Sequence, residues 1–233
     1  MGKCLLSIDW DYFVYTRDNW GCFLENKSNQ IDLWYKRYIQ AKARGQSIQK
    51  AYYLSSELCT FWNKVRKCFR FSKDVRVYVS DSHSLSYKIA KDNKCKTVYL
   101  FDSHADLGYG GLSSLNIGVN CSNWLGKLLK DKQIKEAYII YSPHTKEKPE
   151  YFTPINSIYK VRYCNFKDLK GKCIIVSVIH ICRSGAWTPP WLDSNFILFV
   201  KSLGMPYEMV NYRERKWDPD HLSLSDQIYY LMA

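Results

Sequence analysis

Three short apolar runs in this chain each end in acids and histidines: CLLSIDWD at Cys4 to Asp11, VYVSDSH at Val77 to His83, and VYLFDSHAD at Val98 to Asp106. A short apolar run closed by polar turn residues is the pattern of a buried strand, and parallel strands bring their C-terminal ends together. The chain is thereby constrained to an α/β class: three layers, α/β/α, with a mostly parallel sheet whose ligands bind beyond the carboxyl ends of the strands.

The rest of the sequence keeps the same alternation. Strands are predicted over 3–8, 75–79, 97–101, 137–141, 158–163 and 173–181, and helices over 31–43, 56–68, 85–90, 120–130 and 189–202, the last opened by proline. No repeat or linker divides the 233 residues, so one domain spanning 1–233 is expected. A chain of that length buries about 70% of its unfolded surface and needs no disulfide or structural metal to hold its core. The nine cysteines are scattered with no CxxC pair, and the opening apolar stretch is too short to cross a bilayer, which together read as a reduced, cytoplasmic protein with no membrane partner.

The acids and histidines carry the chemistry. In extended backbone, residues two apart point to one side, so Asp9 with Asp11, and Asp102 with His104 and Asp106, are each expected to aim into one crevice, joined by His83. Asp81 is left outside this set. Four carboxylates and two imidazoles make a hard shell that suits Mn²⁺, and two metals about 3.5 Å apart require bridging carboxylates of this kind. Thiolates are absent from the set, which argues against structural zinc. Taken singly, an Asp pair after a strand is more often a turn former, and His83 beside serines a satisfied loop residue; the three clusters together favour ligation.

FDSHAD resembles the DxHxD motif of arginase and agmatinase ureohydrolases, LSIDWD resembles their SxDxD motif, and SDSHS stands where they have GGDHS. The order is permuted, since SIDWD opens the chain here. With DSHADLGY, NCSNWL and RSGAWTPPWLD, the permuted order resembles the peptide arginases, over residues 5–193. The resemblance implies an arginase-like fold, two Mn²⁺, and hydrolysis of arginine side chains in a ribosomal precursor peptide to ornithine and urea by a hydroxide bridging the metals. It implies that Asp9 and Asp102 bridge, that His83 and Asp106 complete one metal, and that His104 and Asp11 complete the other.

Asp106 or a histidine must then give a proton to the leaving amine, and His180 at the end of the VSVIH strand is the candidate relay; its other reading is a core histidine held by hydrogen bonds. Trp187, Trp191, Asp193 and Tyr109 are the substrate-binding candidates, the indoles through cation–π attraction to a guanidinium, with a helix-cap or core role also open for Asp193. Asn123 and Trp124 either pack under the metal loop or line the mouth.

Rival readings remain. One is a ureohydrolase acting on free arginine or agmatine, or a deacetylase of related fold. The other is a nucleic-acid-binding protein or two-metal nuclease, prompted by 34 Lys and Arg against 22 Asp and Glu, a net charge of +12, and nineteen Tyr. No nucleic-acid-binding motif is found. The basic stretch WYKRYIQAKARG reads as an amphipathic helix with a solvated cationic face, and the positive field as one that steers an acidic leader of the precursor peptide.

Overall fold

The computed structural model describes residues 2–17, 30–171 and 173–232. Strand β1 (Lys3–Asp9) is followed by β2 (Val14–Thr16), helix α1 (Gln30–Ala43) and β3 (Tyr52–Leu54), the last pairing antiparallel with β2. Then come α2 (Phe61–Cys68), β4 (Phe69–Ser80), α3 (Leu85–Asp92), β5 (Cys95–Asp102), α4 (Trp124–Lys130), β6 (Glu136–Tyr141), α5 (Thr153–Asn156) and β7 (Val161–Tyr163). The chain continues through α6 (Phe166–Leu169), β8 (Ile174–Cys182), α7 (Asp193–Ser202), β9 (Glu208–Met209) and α8 (Leu224–Met232).

Seven strands form one sheet in the order β7-β6-β5-β1-β8-β4-β9, with parallel pairing throughout. A central parallel strand is covered on both faces, which is why Leu5, Leu6 and Ile8 of β1 are all fully buried. Leu6 and Ile8 face one layer with Val79, Phe101 and Ile181, under Phe61 and Val65 of α2 and Phe199 of α7. Leu5 faces the other with Leu100 and Val178, under Ile89 of α3 and Trp124 and Leu128 of α4. The protein is thus α/β in three layers, consistent with an arginase-like architecture.

From β1 the chain builds β4 on one side, crosses to β5 on the other, runs outward through β6 and β7, and returns to insert β8 between β1 and β4. The C-terminal end of β1 therefore sits where the winding reverses, the place at which open parallel sheets form a crevice.

Several sequence expectations shift in detail. Strand is confined to Val161–Tyr163 within the expected 158–163. Residues 56–60 and 190–192 are 3-10 turns that lead into α2 and α7, and Ser55 caps the first of them by accepting from the Glu57 amide at 3.3 Å. Asn120 to Asn123 is a turn before α4, because the Asn120 side chain takes the Ser122 amide at 2.9 Å and competes with helical bonding. In α1 the face is not uniformly solvated: Arg37 is buried, donates to the Ala186 carbonyl at 2.9 Å and lies over Trp34 at 4.5 Å. The cysteines among the described residues are free, Cys22 lies outside them, and no described helix is long and apolar enough to cross a membrane.

Helix α4 carries one position with no room. A Cβ on Gly126 would stand 2.3 Å from the Leu107 carbonyl oxygen, and the Gly126 and Leu125 amides both point at the Asp106 carbonyl. The obstacle is backbone, so it cannot rotate away. Gly126→Ala is expected to cost about 1–3 kcal/mol by overpacking and to displace the loop that carries Asp106, read as a lower denaturant midpoint together with weaker metal binding.

Candidate metal centre

Asp9 is the last residue of β1, and its Oδ1 accepts the Asp11 amide at 2.9 Å, capping the 3-10 turn Trp10–Tyr12 that carries Asp11. Asp102 ends β5, and its Oδ1 accepts the His104 amide at 2.8 Å. Alternation along extended backbone, expected from the sequence, is therefore not what gathers these acids. Each strand stops at its first carboxylate, and a tight turn capped by that carboxylate brings in the next. Asp106 arrives through left-handed backbone at φ 51°, with its Oδ2 accepting from the Trp124 indole at 2.5 Å. The two turns are stitched together by Ser103, whose amide donates to Asp11 Oδ1 at 3.2 Å and whose hydroxyl donates to the Asp11 carbonyl at 2.9 Å.

The six predicted ligands converge. His83 Nδ1 lies 3.0 Å from a carboxylate oxygen of each of Asp9, Asp102 and Asp106. His104 Nδ1 lies 2.9 Å from Asp11 and 3.5 Å from Asp102. Asp9, His83 and Asp102 form one group able to hold a metal ion and Asp11, Asp102 and His104 another, with Asp102 common to both. His83 Nδ1 and Asp102 Oδ2 are buried without a hydrogen-bond partner. A proton on Nδ1 can address only one of three equidistant oxygens, whereas a cation among them satisfies all, so the donor set fits a metal. Asp81 stays outside, taken by Arg183 and by the Arg213 amide at 3.0 Å.

Burial and the crowd of like charges push Asp102 well above the usual carboxylate range, and burial with Asp11 beside it raises Asp9. Burial raises the cost of ionising Asp11 too, but His104 overrides it and holds Asp11 low. For both histidines burial opposes the charged form, yet the acids prevail: Asp102, Asp106 and Asp9 raise His83, and Asp11 raises His104.

These raised histidines retain protons at neutral pH in the metal-free protein, and a metal must displace a proton from each Nδ1. Affinity for a divalent metal is accordingly expected to fall on acidification and to climb by about tenfold per pH unit for each proton displaced, until the histidines are bare. Calorimetric titration in buffers of different ionisation enthalpy reads that proton release; an affinity flat across the neutral range counts against ligation by these histidines.

Of the six, only His104 meets solvent appreciably, at 35% side-chain exposure against 8% or less for the others, so the cluster opens on its His104 side. The remaining candidates are dispersed. Trp187 sits there, its ring centroid 6.4 Å from that of His104. Trp191 instead packs edge-on to Trp34 and against Trp217. Asp193 is occupied by the protein's own guanidinium groups, those of Arg183 and Arg215. Tyr109 is exposed and donates to Glu147. Asn123 and Trp124 lie under the metal loop, since Asn123 donates to the Ser114 and Gly118 carbonyls and Trp124 is fully buried.

His180 is fully buried with both ring nitrogens bonded to serine hydroxyls, Ser80 and Ser86, and its centroid lies 6.0 Å from that of His83, on a side away from the carboxylates. Burial and the neighbouring His83 lower its basicity well below the ordinary histidine value. Its surroundings are those of a core histidine, the second of the two readings open in the sequence.

Two residues in the site carried no signal in the sequence. Glu147, on the loop after β6, accepts the Ala105 amide at 2.9 Å between His104 and Asp106, takes the Tyr141 hydroxyl at 3.2 Å, and is raised by burial. Ser184, held at φ 50°, donates to Asp9 Oδ2. Glu147 lies far from the motifs in sequence, whereas Ser184 lies within RSGAWTPPWLD, and neither residue type in isolation stands out. Against known proteins, no family model matches the chain, and neither a curated protein nor a solved structure matches it.

Proposed function

We propose that this protein is a manganese-dependent hydrolase that converts arginine side chains of a ribosomal precursor peptide to ornithine, with release of urea. The observation that carries the reading is the double cluster sharing Asp102: Asp9, His83 and Asp106 on one side, Asp11 and His104 on the other. Such a carboxylate-rich pair with imidazole suits two Mn²⁺ ions, which would lower the pKa of water and supply positive charge where negative charge develops.

The cluster opens on the His104 side, where a substrate guanidinium would approach. Trp187 at that mouth offers an indole face to a cation. Asp9, Asp11, Asp102 and Asp106 exert a negative field that draws a guanidinium inward. The leaving amine takes up a proton as ornithine forms, and Asp106, 3.0 Å from His83 Nδ1, is the candidate to supply it. The resemblance of SIDWD and DSHAD to permuted arginase motifs points the same way, and the net charge of +12 suits an acidic leader on the substrate.

The test incubates the Mn²⁺-loaded protein with an arginine-containing peptide and, separately, with free arginine, following urea and peptide mass. Urea from the peptide alone supports the reading. Urea from free arginine keeps the chemistry and moves the substrate to the small-molecule ureohydrolases; two bound metals with neither substrate turned over sinks the arginase reading.

A further inference from the structure

Behind His83 runs a continuous line of buried polar groups in an otherwise apolar layer between the sheet and α3. His83 Nε2 is 2.8 Å from Ser7 Oγ, Ser7 Oγ is 2.8 Å from Ser86 Oγ, Ser86 Oγ is 2.6 Å from His180 Nδ1, and His180 Nε2 is 2.8 Å from Ser80 Oγ. The line ends where the Ser80 hydroxyl donates to the Ser82 carbonyl at 3.1 Å. Ser7, Ser80, Ser86 and His180 are each fully buried. Sheet register sets Ser7 beside His180 and Tyr78 beside His180, which puts Ser7, Ser80 and His180 on the same face.

The direction of every bond in this line follows from its last member. A carbonyl only accepts, so the single Ser80 proton is spent on Ser82, and Ser80 Oγ must accept from His180 Nε2–H. A neutral His180 then has a bare Nδ1, which must accept from Ser86 O–H. Ser86 Oγ in turn accepts from Ser7 O–H, and Ser7 Oγ accepts from His83 Nε2–H. The proton on His83 Nε2 is thereby held by Ser7, so that Nδ1, facing Asp9, Asp102 and Asp106, is the nitrogen that gives up its proton to a metal. Reversal of the line would forfeit the Ser80–Ser82 bond, leaving the Ser82 carbonyl with the Leu85 amide at 3.3 Å, and would fix a proton on His83 Nδ1.

We propose that the Ser7–Ser86–His180–Ser80 line is a tautomer lock that presents His83 Nδ1 to a metal, and that His180 is a positioning residue of the metal centre. This inference rests on the reading of the cluster as a metal centre. Outer partners of this kind orient ligating histidines and set their basicity.

Two measurements test it. In the metal-free wild-type protein with ¹⁵N-labelled histidine, NMR is expected to show His180 as the neutral Nε2–H tautomer, whereas an Nδ1–H tautomer or an imidazolium overturns the lock with no variant needed. In Mn²⁺ titrations, folded Ser86→Ala is expected to lose about tenfold to a hundredfold in affinity at one of two sites, the scale of an outer-partner loss. Ser86→Thr, which restores the hydroxyl, is expected to recover it. Unchanged affinity in folded Ser86→Ala sinks the lock alone; a wild-type protein that binds no Mn²⁺ sinks the metal reading and, with it, the purpose of the lock.

Discussion

Asp102→Asn is expected to abolish tight Mn²⁺ binding while leaving the metal-free protein at least as stable as its parent. Asp102 is the one carboxylate common to both ligand groups, so its loss weakens both together, by more than the about hundredfold that an outer partner is worth. Its stability effect has the opposite sign. With Asp9, Asp11 and Asp106 around it and only 1% of its side chain exposed, Asp102 is held well above the usual carboxylate range by burial and by like charges. Replacing a strained buried acid by a neutral isostere relieves that repulsion, with a gain on the order of 1 kcal/mol. Urea denaturation in the presence of a chelator, beside metal analysis of the folded variant, reads both halves. A variant that retains two tightly bound metals, or that unfolds markedly earlier without metal, contradicts the assignment.

Arg183→Met is expected to produce the largest loss of stability of any single change discussed. The guanidinium is fully buried and donates to Asp81, to Asp193 at 2.8 Å, to the Tyr212 hydroxyl at 3.0 Å and to the Arg213 carbonyl, with its face over Tyr212 at 4.1 Å. Removing one partner from a buried ionic group leaves charges without compensation, which costs about 3–5 kcal/mol. Asp193 would keep Arg215, but Asp81 would keep only the Arg213 amide. The loss reaches the site as well, because Arg183 anchors the turn that carries Ser184 against Asp9, and the same turn is gripped by Trp34 and Arg215 at the Gly185 carbonyl, each at 2.7 Å. Denaturant unfolding of the metal-free variant gives the stability term, and Mn²⁺ affinity at a denaturant-free temperature well below its midpoint gives the site term. A midpoint within error of the parent would show that the network contributes nothing net.

The clustered acids and histidines were legible because each group sits directly after an apolar run. Asp9 and Asp102 are the final residues of β1 and β5, where burial of the strand interior forces the first polar residue to the end of the sheet. His83 was legible for the same reason, three residues beyond β4. Alternation predicted the convergence of these residues by the wrong geometry: capped turns and the left-handed Asp106, not extended backbone, turn Asp11, His104 and Asp106 inward. The substrate candidates fared differently. Aromatic residue types in a rigid proline-rich stretch do not encode direction, and of Trp187 and Trp191 only the first lies near His104.

What the sequence determined by itself was the class of fold and which acids and histidines gather at one place, because both follow from local rules: the period of burial in a strand, and the chemistry of the side chains that terminate it. What only the tertiary structure decided were the long-range pairings. Glu147 reaches Ala105 across 42 residues, Ser184 reaches Asp9 across 175, and Ser86 reaches His180 across 94. Those contacts depend on which strand lies beside which, and strand order is a property of the packed sheet that no short window of residues contains.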